Sequence, residues 1–500
     1  MRAPTLAAAA VAAVLLLTTD ERSYGVVTDG QQMLSVSYAL THGLGLGVSP
    51  NFPGLEIRAG GDAVPRYGLG LPLVEAVPML AARVLRAAVP SAPTLPLFVL
   101  VPSLGLAASA WAAARAAEAD GATRRGAILA GIALPLATPL WGYAASDLSE
   151  PLQAASLAVL VAAAAVLRLE KKAGRGWEIA AGGAAGLALL SKSLLLLPAL
   201  PLLLAASLRT AGPPRLRRVP LTLFGACVAL WAALEFSRFG RLFGGYAGEG
   251  FTYSLGDGLL RLLVFPNRGL LFFAPLVVLA PAGFLRLRRR EAPLAWAEAI
   301  SAGSLLGAVA MWWAWDGQVG WGPRLLVPIL PALVFLAAAV TAGPAAAAAA
   351  RSRRETVFAA LVLLGVGVNL LGALVPFPGV DAVVASAQPL PAVEGVHSPA
   401  ASAPYQHLAR NPSWSPIRIH ARLLAERLRG GDVAGRLSAG ALADLDPPLV
   451  PRGGLPVLVA SPLRFAFWGR TWIAPLPGGA DPYDDAAADQ ELRLRQRTGR

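Results

Sequence analysis

Apolar runs separated by short clusters of arginine and lysine recur along most of this chain. The clusters are Arg115/Arg124/Arg125, Arg168/Lys171/Lys172/Arg175, Arg209/Arg215/Arg217/Arg218, Arg286/Arg288/Arg289/Arg290 and Arg351/Arg353/Arg354. Between successive clusters there is room for two helices and a polar turn, the turns falling at residues 146–151, 191–193, 239–268 and 316–324. Cytoplasmic loops carry an excess of Lys and Arg, so the clusters are predicted inside and the turns outside. The pattern predicts an all-α polytopic membrane protein with a bundle of about 11 transmembrane helices, several of them near the shortest length that crosses a bilayer. Residues 3–19 form the first span and residues 357–375 the last. No small-x-small cleavage site precedes Asp20-Glu21-Arg22, so the first span is expected to stay attached, with its N-terminus inside.

The parity of these spans leaves a large first outer loop, residues 20–94. Its stretch from Thr28 to Pro72 is polar and punctuated by Gly and Pro, and irregular segments of that length inside helical proteins are usually functional or disordered. It carries Asp29, His42, Asp62, Arg66 and Tyr67. The run from Leu69 to Val89 contains Glu75, Pro78, Arg83 and Arg86 and reads as an amphipathic helix lying in the outer interface. Residues 1–375 are thus the transmembrane domain, and 376–500 an extracytoplasmic C-terminal region. In that region residues 415–428 read as an amphipathic helix, residues 455–468 as a strand or interfacial helix, and the end, from Asp481, as loose.

Composition agrees: 55% of the 500 residues are hydrophobic and 15% charged, well under the charge of a soluble domain. The net charge of +13 would suggest nucleic acid in a soluble protein, but here the arginines sit between apolar runs, and no nucleic-acid partner is expected. The single cysteine, Cys227, lies in an apolar run and rules out an intrachain disulfide. Lysine is confined to Lys171, Lys172 and Lys192 while Arg and Ala abound, as in a high-GC bacterial genome.

Ionisable residues near the spans gather on the outer side: Asp20, Glu21, Asp29, Asp62, Asp147, Glu150, Glu235, Glu249, Asp257 and Asp316, with Arg66, Lys192, Arg268 and Arg324. A transporter places ionisable groups nearer the midplane. An outer rim of carboxylates and cations suits a reaction between a lipid-borne phosphate and a polar molecule arriving from outside. Each residue also has a structural reading. Asp29-Gly30 suits a turn. Asp147 or Ser149 can cap a helix that has Pro151 at its first position. Lys192 can snorkel to the interface. Arg324 and Arg268 can anchor an aromatic belt that includes Trp312, Trp313, Trp315 and Trp321. His42, His397, His407 and His420 lack metal-ligand spacing.

The order of these pieces resembles the GT-C superfamily of membrane glycosyltransferases, in particular the phospholipid-carrier-dependent branch related to family 39 protein mannosyltransferases. The resembling pieces are Thr28-Asp29-Gly30-Gln31-Gln32-Met33, Arg66-Tyr67-Gly68-Leu69-Gly70-Leu71-Pro72, Ser146 to Pro151, Leu190-Ser191-Lys192, Phe265 to Leu270, and Trp315-Asp316-Gly317 with Gly322-Pro323-Arg324. They span about residues 1–345. The resemblance implies transfer of a sugar from a polyprenyl-phosphate carrier to a glycan, lipid or protein acceptor, outside the cytoplasmic membrane and with inversion. It implies that Asp29 is the general base, with Asp20 and Glu21 competing for that place. It further implies that Arg66, Tyr67, Glu150, Lys192, Arg268, Asp316 and Arg324 bind substrate, the cations holding the phosphate. Some such proteins bind a divalent metal, for which the sequence offers no ligand set. A lipid-linked sugar flippase and a non-catalytic scaffold of the same fold are the alternatives.

Overall fold

Alanine and leucine dominate the apolar runs and favour helix, and the chain is helical through most of its length. The computed structural model describes residues 2–19, 24, 28–52, 55–57, 63–208, 216–246, 249–318, 320–343, 348–375, 377, 409–428 and 481–498. The first helices are α1 (Ala3–Thr18), α2 (Thr28–Thr41) and α3 (Gly70–Ala88), with strands β1 (Glu56–Ile57) and β2 (Ala63–Val64) paired antiparallel between the last two. Then come α4 (Leu95–Ala119), α5 (Arg124–Leu136), α6 (Glu150–Leu169), α7 (Arg175–Ser191), α8 (Leu196–Ser207) and α9 (Arg218–Phe239). The second half holds α10 (Leu255–Val264), α11 (Leu270–Phe273), α12 (Ala280–Arg288), α13 (Ala292–Met311), α14 (Leu330–Ala338) and α15 (Ala348–Leu374). Two further helices, α16 (Pro416–Leu428) and α17 (Pro482–Thr498), belong to the C-terminal region.

Among the described residues, six helical legs are long and apolar enough to cross a membrane: α4, α6, α9, α13, α15 and Arg324–Thr341, in which 3₁₀ turns flank α14. Eleven were expected. The difference lies in short legs: α1 and Ser193–Ser207 are apolar but shorter, and α5 ends after 13 residues at a 3₁₀ turn next to Pro135 and Pro139. Proline removes a helical donor and tightens or breaks the turn around it. The Arg324–Thr341 leg and helix α6 lie deepest, with 83% and 78% of their apolar windows buried, whereas α9 has 11% and stands on the rim. Small residues let the helices close up; a Cβ on Gly283 of α12 would lie 1.6 Å from Leu336 O of α14.

The polar stretch from Thr28 begins with a regular helix, α2, and two expectations change. Helix α3 is present where expected, but Glu75 points inward and is fully buried, while Leu73, Val77, Leu80 and Val84 are exposed. Its buried face sets Glu75 among Leu71, Pro78, Met79 and Ala82. The chain end is no loose tail, because α17 packs on α2 and touches α3 and α4. Asp20, Glu21, Asp62, His397, His407 and the stretch 455–468 lie outside the described residues.

Candidate active site

At one end of the bundle the start of α2, the loop before α3, the start of α6, the α7–α8 turn and the loops before α10 and α14 enclose a polar chamber. Asp29, Arg66, Tyr67, Glu150, Gln153, Lys192, Glu249, Trp313, Gln318 and Arg324 line it, around a cavity of about 80 Å³. Asp29 occupies the first turn of α2, where a carboxylate is favoured by the helix dipole. Tyr67 Oη donates to Asp29 Oδ1 at 2.5 Å. Burial first and Asp29 second push the Tyr67 hydroxyl up, so it stays a donor. The loop holding Tyr67 is pinned by Arg238 of α9, which donates to Tyr67 O at 2.6 Å and Pro65 O at 3.2 Å.

Arg324 opens a 3₁₀ turn after a loop of left-handed residues, Gly317, Gln318, Gly320 and Gly322, all with positive φ. Its guanidinium lies 3.2 Å from Glu150 Oε1 and 3.6 Å from Asp29 Oδ2. Glu150 starts α6 with Pro151 behind it; Ser149 is the N-cap residue but makes no capping bond, and its hydroxyl accepts from Gln153 Nε2 at 2.7 Å. Arg66 pairs with Glu249, whose second oxygen accepts from Trp313 Nε1 at 2.8 Å. Lys192 differs from both arginines. Its half-buried ammonium has no ion pair or hydrogen bond among the described residues. Burial lowers its pKa, with Glu150 the main opposing charge.

The chamber opens into an apolar groove of about 500 Å³ lined by Leu194, Leu195, Leu196, Leu197, Phe243, Phe251, Leu305, Val309 and Pro328. Glu150, Gln153, Lys192, Glu249, Trp312, Arg324 and Leu325 border both spaces.

Of the expected site residues, Asp29, Arg66, Tyr67, Glu150, Lys192 and Arg324 come together. Arg268 and Asp316 do not line the chamber. Arg268 is buried and donates to three carbonyls of the loop that leads into Arg324: Gln318 O and Gly320 O at 2.7 Å and Gly322 O at 2.9 Å. Tyr143 Oη adds a bond to Trp321 O at 2.9 Å. Asp316 is buried beside Arg268, its carboxyl pushed up to about 6 by burial. The sequence puts Glu249 on the outer rim and Gln318 in the Trp-rich outer turn without marking a role for either, and it gives no signal for Gln153. The signal for Glu249 was a lone acid between glycine-rich residues in an outer turn. Among the described residues no group of three or more His, Cys, Asp or Glu is placed to hold a metal ion.

No family model matches the chain, and no curated protein matches it. Among solved structures it is similar to ArnT from Cupriavidus metallidurans bound to undecaprenyl phosphate, at 16% identity over 85% of this chain and 72% of that one, with a TM-score of 0.47. It is also similar to the Archaeoglobus fulgidus oligosaccharyltransferase tethered to an acceptor peptide, at 12% identity, a TM-score of 0.45 and 78% coverage of this chain. This chain spans 57% of that protein's length. At such identities and TM-scores the likeness says nothing about chemistry, which rests on the chamber's own residues.

Proposed function

We propose that the chain is a multi-pass membrane glycosyltransferase of GT-C architecture, transferring a sugar from a polyprenyl-phosphate carrier to an acceptor hydroxyl on the outer side of a bacterial cytoplasmic membrane. The observation that carries this reading is Lys192, a cation with no ion pair or hydrogen bond among the described residues, where a polar chamber meets an apolar groove. A prenyl chain suits the groove, the phosphate suits Lys192 and Arg324, and the sugar suits the chamber. The acceptor is a glycan, a lipid or a protein.

In this reading Asp29 takes the proton of the acceptor hydroxyl as its oxygen bonds to the anomeric carbon. The carbon–oxygen bond to the phosphate breaks, and polyprenyl phosphate leaves with the electron pair. Positioned base help of this kind contributes roughly 10²- to 10⁴-fold in rate. Tyr67 fixes one Asp29 oxygen, and the other, which has Arg324 at 3.6 Å, takes the proton. Lys192 and Arg324 meet the charge that grows on the phosphate. A flippase would need a polar path through the spans. The carboxylate of Glu298, inside α13, is fully buried and makes no hydrogen bond among the described residues.

The test offers a panel of radiolabelled polyprenyl-phosphate sugars to membranes of the native host containing wild type or Asp29→Asn at equal expression. Label moving to a new product with wild type alone is the expected result. Retained activity in Asp29→Asn removes Asp29 as the base, leaving Asp20 or Glu21. No transfer by either form overturns the transferase reading.

A further inference from the structure

The last helix of the chain reaches back to the helix that carries Asp29, and it does so through buried polar side chains. Its start is stapled to the α3–α4 turn: Asp481 accepts from Thr94 N at 2.9 Å, and Arg86 pairs with Asp481 at 3.1 Å and Asp484 at 2.6 Å. Its middle buries Ala486 with Tyr24, Leu34 and Met79. Its second half grips α2. Gln490, 1% exposed, donates to Ser35 Oγ at 2.7 Å, Ser35 O at 3.2 Å and Gly47 O at 2.9 Å. Asp489 accepts from Ser35 Oγ and from Ser49 N. Arg493 holds Gln490 Oε1 at 3.0 Å and Leu44 O at 3.2 Å.

Packing alone would not require this arrangement. An apolar helix end could fill the same space, whereas a buried amide with three acceptors in view tolerates little sliding or rotation, since each lost bond leaves a buried polar group unmet. Ser35 lies six residues after Asp29 on the same helix, so whatever fixes its azimuth also fixes that of Asp29. One residue of helical slip turns a side chain by about 100°, which would take the Asp29 carboxylate away from Tyr67 and Arg324.

We propose that Gln490, with Asp489 and Arg493, is a positioning device: the C-terminal helix sets the rotation of α2 and thereby holds Asp29 in the chamber. The inference rests on the role proposed for Asp29, but its first readout does not need the reaction. In the full-length chain with Cys227→Ala, Asp29→Cys reports the chamber start of α2 and Ser149→Cys reports the opposite wall. Each is modified with a small methanethiosulfonate, with and without Gln490→Leu. The expected result is a change of fivefold or more in the rate at position 29 and less than twofold at position 149. No change at position 29, or equal changes at both, overturns the proposal. The second readout is transfer by the Gln490→Leu chain with native Asp29, whose kcat should fall tenfold or more while the donor KM stays within twofold. An unchanged kcat also overturns positioning. If the labelling result holds and wild type transfers no sugar, the transferase reading fails and the positioning of α2 stands.

Discussion

Lys192 and Arg268 carry the same charge at the same end of the bundle, and the structure gives them opposite employment. Arg268 donates to three carbonyls of the loop before Arg324, while the Lys192 ammonium, at the chamber mouth, makes no ion pair or hydrogen bond among the described residues. Removing Arg268 leaves buried carbonyls unmet at about 1–3 kcal/mol each. Arg268→Ala is therefore expected to lower the melting temperature by several degrees and to reduce kcat through a displaced Arg324. Lys192→Ala is expected to keep the melting temperature and raise the donor KM tenfold or more. Thermal unfolding in detergent beside donor kinetics separates the two, and equal melting losses would contradict the division. Both residues were legible in the sequence as outer cations, but what distinguishes them is which carbonyls lie within reach, and that depends on a loop folded by four positive-φ residues. Glu75 adds a pH signature. Burial lifts its carboxyl to about 8, against the bonds from Tyr24 and Ser37. A carboxyl whose folded pKa exceeds the unfolded value near 4.5 contributes stability that is fully present below that lower value and is lost as pH rises through about 8. Wild type is thus expected to lose more thermal stability between pH 6 and pH 9 than Glu75→Gln, read from melting curves across that range.

At the scale of elements, most helices could be read from apolar periodicity, and two could be placed but not oriented. For α3 the sequence pattern marks an amphipathic helix but cannot say which face is inside, because a buried Glu needs partners from elsewhere, here Tyr24 and Ser37. For α17 the charged composition suggests a solvated end, and the acceptors offered by Ser35 and Gly47 to Gln490, and by Leu44 and Gln490 to Arg493, make their burial tolerable. Helix α2 shows how tightly these elements meet. Gly30 faces the Asp147 carboxylate so closely that an added Cβ would lie 2.1 Å from its Cγ. That contact explains a glycine beside Asp29 better than the turn its sequence suggested, since residue 30 is helical. Gly30→Ala should force α2 away from the loop before α6 that carries Asp147, with a cost typical of overpacking, about 1–3 kcal/mol, and a matching loss of activity. Shortening the opposite side chain in Gly30→Ala/Asp147→Ala should recover part of the stability. A double variant no more stable than the sum of the singles would show that the two residues do not press on each other.

Over the whole molecule the arrangement follows from where charge is tolerated. The exposed sides of the spans carry Leu104, Leu230, Phe236, Trp296, Ile300, Leu363 and Leu364, an apolar surface that needs lipid around it. Basic clusters close one end, where Arg290 pairs with Asp120 at 2.9 Å and Arg115 with Glu170 at 2.6 Å. The chamber occupies the other end. Helix α6, 20 residues long, connects the two: it begins at Glu150 in the chamber and ends at Leu169 next to Lys171 and Lys172, a rise of about 30 Å. From the positive-inside rule Lys172 is expected in the cytoplasm and Asn51, in the loop after α2, outside. In intact cells with Cys227→Ala, a membrane-impermeant maleimide is expected to label Asn51→Cys and to leave Lys172→Cys unreacted until the cells are opened. Labelling of Lys172→Cys in intact cells would turn the molecule over and place the chamber on the cytoplasmic face. A lipid-phosphate sugar displayed on the outer leaflet could then not reach Lys192, and the acceptor would have to be sought inside the cell.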